Sequence, residues 1–294
     1  MKKLLLTAML LAGLVITQGC QKDEPETTQN PEETTESTNG WLDSITISFA
    51  RPYTQEPMKT RADVGIGEAV SHLDCWIISG TDTITINQTK AANNDFGTIT
   101  AVLDRRREYR LIAVGHKATS ASLSTGGIIS FADDKLSHSM YYSHTFKPDT
   151  LQSLSARMER IVAGFRLQTT DVVPAEAKKL RTTFSGIYNR WSTEGEGAPT
   201  NLTNHQNLIQ ITSTLADGTA SFTSYAIVSA DETTHTILVE VLDSSDQVIQ
   251  SRTFNAVKLR RGWLTVYRGE LFTDQSAQGS FTIGDWNEYD VVDF

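Results

Sequence analysis

"TILVEVLDSSDQVIQSRTF", residues 236–254, alternates apolar and polar residues on either side of a polar "DSSDQ". Ile237, Val239 and Val241 fall on one face of an extended chain, because successive side chains of a strand point to opposite faces. A helix would need apolar residues three and four apart, and here they recur at every second position. Aspartates and serines between two such runs are turn chemistry, so the stretch predicts a β-hairpin.

The same period spreads outward. "RIVAGFRLQT" (160–169) puts Ile161, Ala163, Phe165 and Leu167 on one face, and "IQITSTLADGTASFTSYAIV" (209–228) predicts a hairpin turning at Asp217-Gly218. Upstream, Ile45, Ile47 and Phe49 alternate with Ser44, Thr46 and Ser48. "DCWIISG" (74–80), "DTITINQT" (82–89), "GTITAVL" (97–103) and "EYRLIAVGH" (108–116) follow at short spacing between Gly, Asp and Asn clusters. That rhythm predicts a β-sandwich. Only "PAEAKKLRTT" (174–183), with Pro174 at a natural helix start, reads as a short helix. The fold class is therefore all-β with little helix.

Residues 41–294 are enough for two domains of common size. Pro148 interrupts "FKPDTLQSLSA" (146–156) and a new alternating run begins at Met158, so the chain is expected to divide into 41–152 and 153–294. No repeat of exact period is visible.

The N-terminus has a different character. Lys2 and Lys3 precede an apolar run, Leu4 to Ile16, that is shorter than the roughly 20 residues a membrane span needs. This is the layout of a secretory signal peptide, residues 1–19. Thr17-Gln18-Gly19-Cys20 resembles a bacterial lipobox, which implies that Cys20 carries diacylglycerol and an acylated amine. The alternative is an ordinary signal peptide with an incidental cysteine. Gln21, Lys22, Asp23 and Glu24 resemble the short export signal that sends lipoproteins of the Bacteroidota to the outer face of the outer membrane. Read without that resemblance, they are the solvated head of a tether.

"QKDEPETTQNPEETTESTNG" (21–40) has no large apolar residue and cannot offset its own ordering entropy, so residues 20–40 read as a lipidated cysteine and a disordered acidic tether. Loss of Lys2 and Lys3 with the leader takes the formal charge from −9 to −11; six acids and one lysine in 21–40 account for −5, leaving −6 for the body. A mildly acidic body argues against a nucleic-acid partner. The local "RRREYR" (105–110) reads as a solvated strand edge.

Catalytic and metal signals are weak. With Cys20 lipidated, Cys75 is the remaining thiol, a small core residue in an apolar run. The six histidines are scattered; His138 and His144 are a close pair, yet no Cys or carboxylate completes a ligand pattern. Asp133-Asp134 and Glu194/Glu196 are neighbours in sequence, where glycosidase carboxylates must face each other across a substrate. No nucleophile elbow, phosphate loop or zinc-protease motif is present, so neither enzyme activity, cofactor nor metal is expected.

Taken in order, "YRLIAVGH", "RIVAGFRLQ", "TTFSGIYNRW", "VKLRRGWLTVYRGELF" and "FTIGDW" resemble the fimbrillin superfamily of Bacteroidales, and within it the FimB-type anchor or minor subunits. The resemblance implies two tandem transthyretin-like β-sandwich domains and a role in fimbria assembly, cell adhesion and biofilm formation. It also implies fimbrial subunits as partners, joined by strand addition, in which main-chain hydrogen bonds attach an extended segment. Stalk subunits of the superfamily lose an N-terminal segment to an arginine-directed protease, whereas an anchor keeps its lipid. Here a cut after Arg61 in "KTRADV" would sever the Ile45–Phe49 run, which favours an anchor. Phe281, Ile283 and Trp286 in the closing segment are nominated for partner contact; they serve equally well as a last core strand.

The alternative function is a surface glycan-binding lipoprotein, with Trp41, Trp191, Trp263 and Trp286 as stacking platforms. In alternating strands such residues are more often core.

Overall fold

A computed structural model describes residues 41–50, 65–150, 153–198 and 202–273. Trp41 opens the folded unit. The protein is an all-β sandwich fold, and among the described residues helix is limited to short 3-10 turns such as Ile66–Glu68 and Ala132–Asp134.

In the first half, β1 (Leu42–Ala50) lies between β4 (Thr98–Asp104), antiparallel to it, and β9 (Ser153–Arg157), parallel to it. The facing sheet runs β10 (Glu159–Arg160), β8 (Met140–Phe146), β5 (Tyr109–His116), β2 (His72–Ser79), β3 (Asp82–Thr89). In the second half, β11 (Ala163–Thr169) lies between β15 (Ser221–Ala226), antiparallel, and β18 (Leu264–Gly269), parallel. Its facing sheet runs β14 (Leu202–Gln210), β12 (Lys179–Tyr188), β16 (Glu232–Leu242), β17 (Val248–Arg260).

These lists share one wiring. In chain order, with the two-residue edge strand β10 set aside, the sheets of the first half use β1, β2, β3, β4, β5, β8 and β9, and those of the second use β11, β12, β14, β15, β16, β17 and β18. In each, the first strand pairs with the fourth and seventh, the second with the third and fifth, and the fifth with the sixth. The duplication lies in topology, which explains why no repeat period shows in the residues.

Each half buries the alternating residues that define its strands. Ile45, Ile47 and Phe49 join Leu73, Cys75 and Leu111 in one core, and Phe165, Leu180, Phe184, Ile237, Val239 and Val241 share another. A fully buried side chain of this size contributes roughly 1.5–3 kcal/mol, so each inward run is a substantial share of a half's stability. The hairpin expected at 236–254 is present as β16 and β17, antiparallel through Ile237↔Phe254 and Val239↔Arg252.

Two local expectations are corrected. Residues 174–178 form one turn, with the Ala177 N–H donating to the Pro174 carbonyl at 3.1 Å, and "KLRTT" belongs to β12. Leu180, Thr182 and Phe184 are buried at every second position, and pairing to both β14 and β16 overrides a helix preference of tenths of a kcal/mol per residue. At Asp217-Gly218 the turn exists but the hairpin does not. The Leu215 N–H donates to Thr219, yet β14 pairs with β12 and β15 with β11, so the connection arches between sheets.

A fifth sheet joins the halves: β6 (Ala121–Leu123), β7 (Ile128–Phe131) and, from the second half, β13 (Arg190–Ser192). Around it Ile112, Ile129, Phe131 and Tyr141 pack with Val162, Tyr188, Trp191 and Ile227. Residue 152, the expected break, immediately precedes β9, which is bonded to β1; pairing passes to the second half's sheets after Arg160.

Candidate interaction surfaces

The residues nominated for lipidation and export (Cys20, Gln21, Lys22, Asp23, Glu24) and for partner contact (Phe281, Ile283, Trp286) lie outside the described residues. What the described body offers is a polar core pair, a junction and two unlike ends.

The core pair is Asp74 and His116 on β2 and β5. His116 is 0 % exposed, and its Nε2 lies 2.8 Å from the Asp74 carboxylate, which also accepts the Ala121 N–H at 2.7 Å. The carboxylate thereby holds the start of β6 to the first sandwich. His72 stacks on the His116 ring at 5.5 Å, and burial, then the His116 neighbour, push its pKa down. Cys75 beside Asp74 is wholly buried, and that burial raises its thiol well above the ordinary value, which suits a core residue and not a nucleophile.

At the junction, Gly127 turns the chain between β6 and β7 at φ +72°, and a side chain there would come within 2.6 Å of the Thr193 hydroxyl. Thr193 donates its N–H to the Gly127 carbonyl, while its own carbonyl accepts from Tyr141 and Arg110, both at 2.7 Å. Trp191 is 2 % exposed, against Tyr141 at 5.8 Å and beneath the Arg261 guanidinium at 5.3 Å. It is therefore no sugar platform. Trp263 carries Arg260 over its ring at 4.3 Å. Trp286 is not among the described residues.

His138 precedes β8 and meets the Tyr225 ring edge-on at 5.6 Å, while His144 lies within β8 near Tyr142, so the two do not share a strand. Among the described residues no three His, Cys, Asp or Glu side chains gather to hold a metal ion.

One end of the first half collects the start of β1, the end of β4 and the β2–β3 turn. There the Arg105 N–H donates to the Trp41 carbonyl, and Arg106 lies over the Trp41 ring at 4.9 Å. Arg105, Arg106 and Arg107 pair with Asp43, Asp104 and Asp82 at 3.3, 2.8 and 2.7 Å. The expected basic edge is thus a charge-balanced turn. Hydrogen bonds from Arg106 hold the Asp104 carboxyl down at about 2.

One end of the second half gathers the loops after β11, β14, β16 and β18, where Val173 donates to Gly218, Lys178 to Leu242 and Thr170 to Gly269. Val172 and Leu215 are exposed there, and the Asp171 carboxylate accepts N–H groups from Leu271, Phe272 and Thr273. Asp217 is held below the usual carboxylate range by its bonds to Thr219. Sequence alternation could not have found these ends, because loops carry no period.

An all-β sandwich fold whose two halves repeat one strand wiring around a buried junction is the class of protein that these residues define. The chain belongs to a family of unknown function, DUF6562, whose model matches residues 139–291. The match begins just before β8, inside the first half's sheet. No curated protein matches the sequence.

Solved structures similar in fold include a candidate cell adhesion protein from Bacteroides ovatus, 15 % identical, covering 83 % of this chain and 98 % of that one at a TM-score of 0.48. A candidate polysaccharide-binding protein from Bacteroides thetaiotaomicron is 8 % identical, with coverage of 83 % and 96 % and a TM-score of 0.48. The fimbrial anchor protein Mfa2 from Porphyromonas gingivalis is 9 % identical, with coverage of 83 % and 99 % and a TM-score of 0.43. At these identities and scores the likeness carries no argument about activity.

Proposed function

We propose that this protein is a surface lipoprotein of the outer membrane that serves as an anchor or minor subunit of a fimbrial filament. It would be held by acyl chains on Cys20, exported through Gln21–Glu24, and divided into two sandwich domains that meet near Ile161. Its work is mechanical attachment, without catalysis, through strand contact with pilin subunits. The C-terminal segment with Phe281, Ile283 and Trp286 is the part nominated for that contact.

The observation that carries this reading is the place of β1. It follows the tether directly and supplies Ile45, Ile47 and Phe49 to the core from the middle of its sheet. Among the described residues, β4 and β9 are bonded in that sheet through β1. A cut after Arg61 that released β1 would open the first sandwich and detach it from its lipid. A chain that keeps β1 keeps both, which is what an anchor requires. Two or three acyl chains, at about 0.8 kcal/mol per buried CH₂, then make membrane attachment essentially permanent. Glycan capture finds less support, since Trp191 is core and the rings of Trp41 and Trp263 each carry an arginine.

The test is mild crosslinking in the native outer membrane, followed by purification and mass spectrometry. Expected is an intact N-terminus with lipid on Cys20 and a crosslink to a β-sandwich pilin. Recovery of the lipidated chain alone, or joined to glycan-uptake proteins, rejects the fimbrial reading.

A further inference from the structure

The two ends of the body differ in a way that the anchor reading does not use. At the first end Trp41 and Leu42 are 42 % and 48 % exposed, and Val102 is 60 % exposed. Leu42 pairs with Asp104 and Ser44 with Val102, so Leu42 and Val102 are diagonal neighbours on the outward face of β1 and β4. At the same end Arg106 lies over Trp41, Arg105 pairs with Asp43 on β1 and Arg107 reaches Asp82 at the β2–β3 turn; each of the three is paired with one acid and keeps 58 %, 41 % and 41 % of its side chain exposed. At the other end the loops 170–179, 211–220, 242–249 and 269–273 hold six carboxylates, Asp217 and Asp246 among them, against Lys178 and Lys179.

We propose that the Trp41 end of the first half rests on a phosphate-bearing lipid surface, and that the acidic end of the second half points away from it. This inference depends on the lipid-anchor reading above. An amphipathic indole and aliphatic side chains suit the headgroup boundary of a bilayer. Guanidinium groups bind phosphate oxygens through paired hydrogen bonds, and an arginine can keep its carboxylate while offering its remaining donors. An anionic surface attracts that end and repels the other within about a Debye length.

Connectivity supplies the rest. Trp41 is the first residue after the twenty residues that follow Cys20, so the patch is the part of the body nearest to the lipid along the chain. Were those residues the tether that their composition leads one to expect, they would span roughly 25 Å and give an effective concentration of order millimolar, so a contact of only millimolar strength would be substantially occupied. No large apolar surface is needed. Three exposed side chains with arginine neighbours are enough for a tethered contact, and too few to bind a membrane unaided.

The test uses the complete lipidated protein, reconstituted into vesicles of phosphatidylethanolamine and phosphatidylglycerol with part of the acyl chains brominated. Flotation and intact mass first report whether the chain is lipid-anchored. Bromine quenching of tryptophan emission then reports which indole meets the lipid. The expected result is a partial quench that Trp41→Phe abolishes. In the Trp41→Phe background a reporter at the other end, Val172→Trp, is expected to stay unquenched. If the protein floats but the quench is absent, survives Trp41→Phe or appears at position 172, this orientation is wrong and the anchor reading stands. If the protein neither floats nor carries lipid, both fall together.

Discussion

Asp74 is 5 % exposed and accepts from both His116 and Ala121, so Asp74→Ala strands one buried and one half-buried donor. The expected loss is about 2–5 kcal/mol, read as a lower urea midpoint at unchanged slope; a loss under about 1 kcal/mol would mean that the pair is replaceable by water. Burial lowers the pKa of His205, and of His72, below their ordinary values. The unfolded chain therefore takes up these protons first, so stability declines as pH falls through the unfolded imidazole value near 6.5. The thermal midpoint is expected to be lower at about pH 5.5 than at about pH 7.5, and His205→Gln to narrow that difference; an unchanged difference removes His205 from the account. Asp104 titrates in a separate window. Its folded value near 2 lies below the unfolded one, so its contribution is present above about pH 4 and is lost only as pH falls toward 2.

At the scale of elements, β13 holds the halves together through Trp191. Trp191→Ala leaves a cavity among Ile129, Tyr141 and Ile227 and is expected to cost about 3–5 kcal/mol. Denaturant unfolding measures this, and a near-neutral result would return the indole to the candidates for ligand contact. Alternation already favoured a core place for Trp191, but not its place at the junction, because β13 is three residues long and its partner β7 lies sixty residues upstream. The β16–β17 hairpin was legible, because alternation at Ile237, Val239 and Val241 and the polar turn are both local. Residues 209–228 show the limit. A turn at Asp217-Gly218 looks the same whether it closes a hairpin or arches between sheets, and the ten residues between β14 and β15 were the available clue. "PAEAKKLRTT" failed through its pairing to two neighbours, which propensity does not see. The parallel partnerships of β1 with β9 and β11 with β18 span about a hundred residues and leave no local trace. The charged run at 105–107 was visible, but its pairing with Asp43, Asp82 and Asp104 was not.

On the scale of the whole molecule, the span shared with the DUF6562 family is not a fold unit. It begins at residue 139, and thus takes β8, β9 and β10 without β5 and β1, to which β8 and β9 are bonded. A fragment 139–294 would present Met140, Phe146 and Met158, all buried in the intact chain, together with the bereft edges of β8 and β9 as well as that of β13. Such edges template aggregation. A fragment 161–294 retains the complete second seven-strand wiring and loses the junction partners of Tyr188, Trp191 and Ile227, with β7 beside the three-residue β13. Size-exclusion chromatography and urea unfolding of 41–294 and both fragments should therefore rank them in a definite order. The long form is expected to be monomeric and most stable, 161–294 soluble but weakened, and 139–294 aggregated. If 139–294 unfolds cooperatively at the midpoint of the long form, then β8 and β9 draw little from the first sandwich. The junction would then be a contact between two independent bodies, and force applied to one half would reach the other through the chain alone.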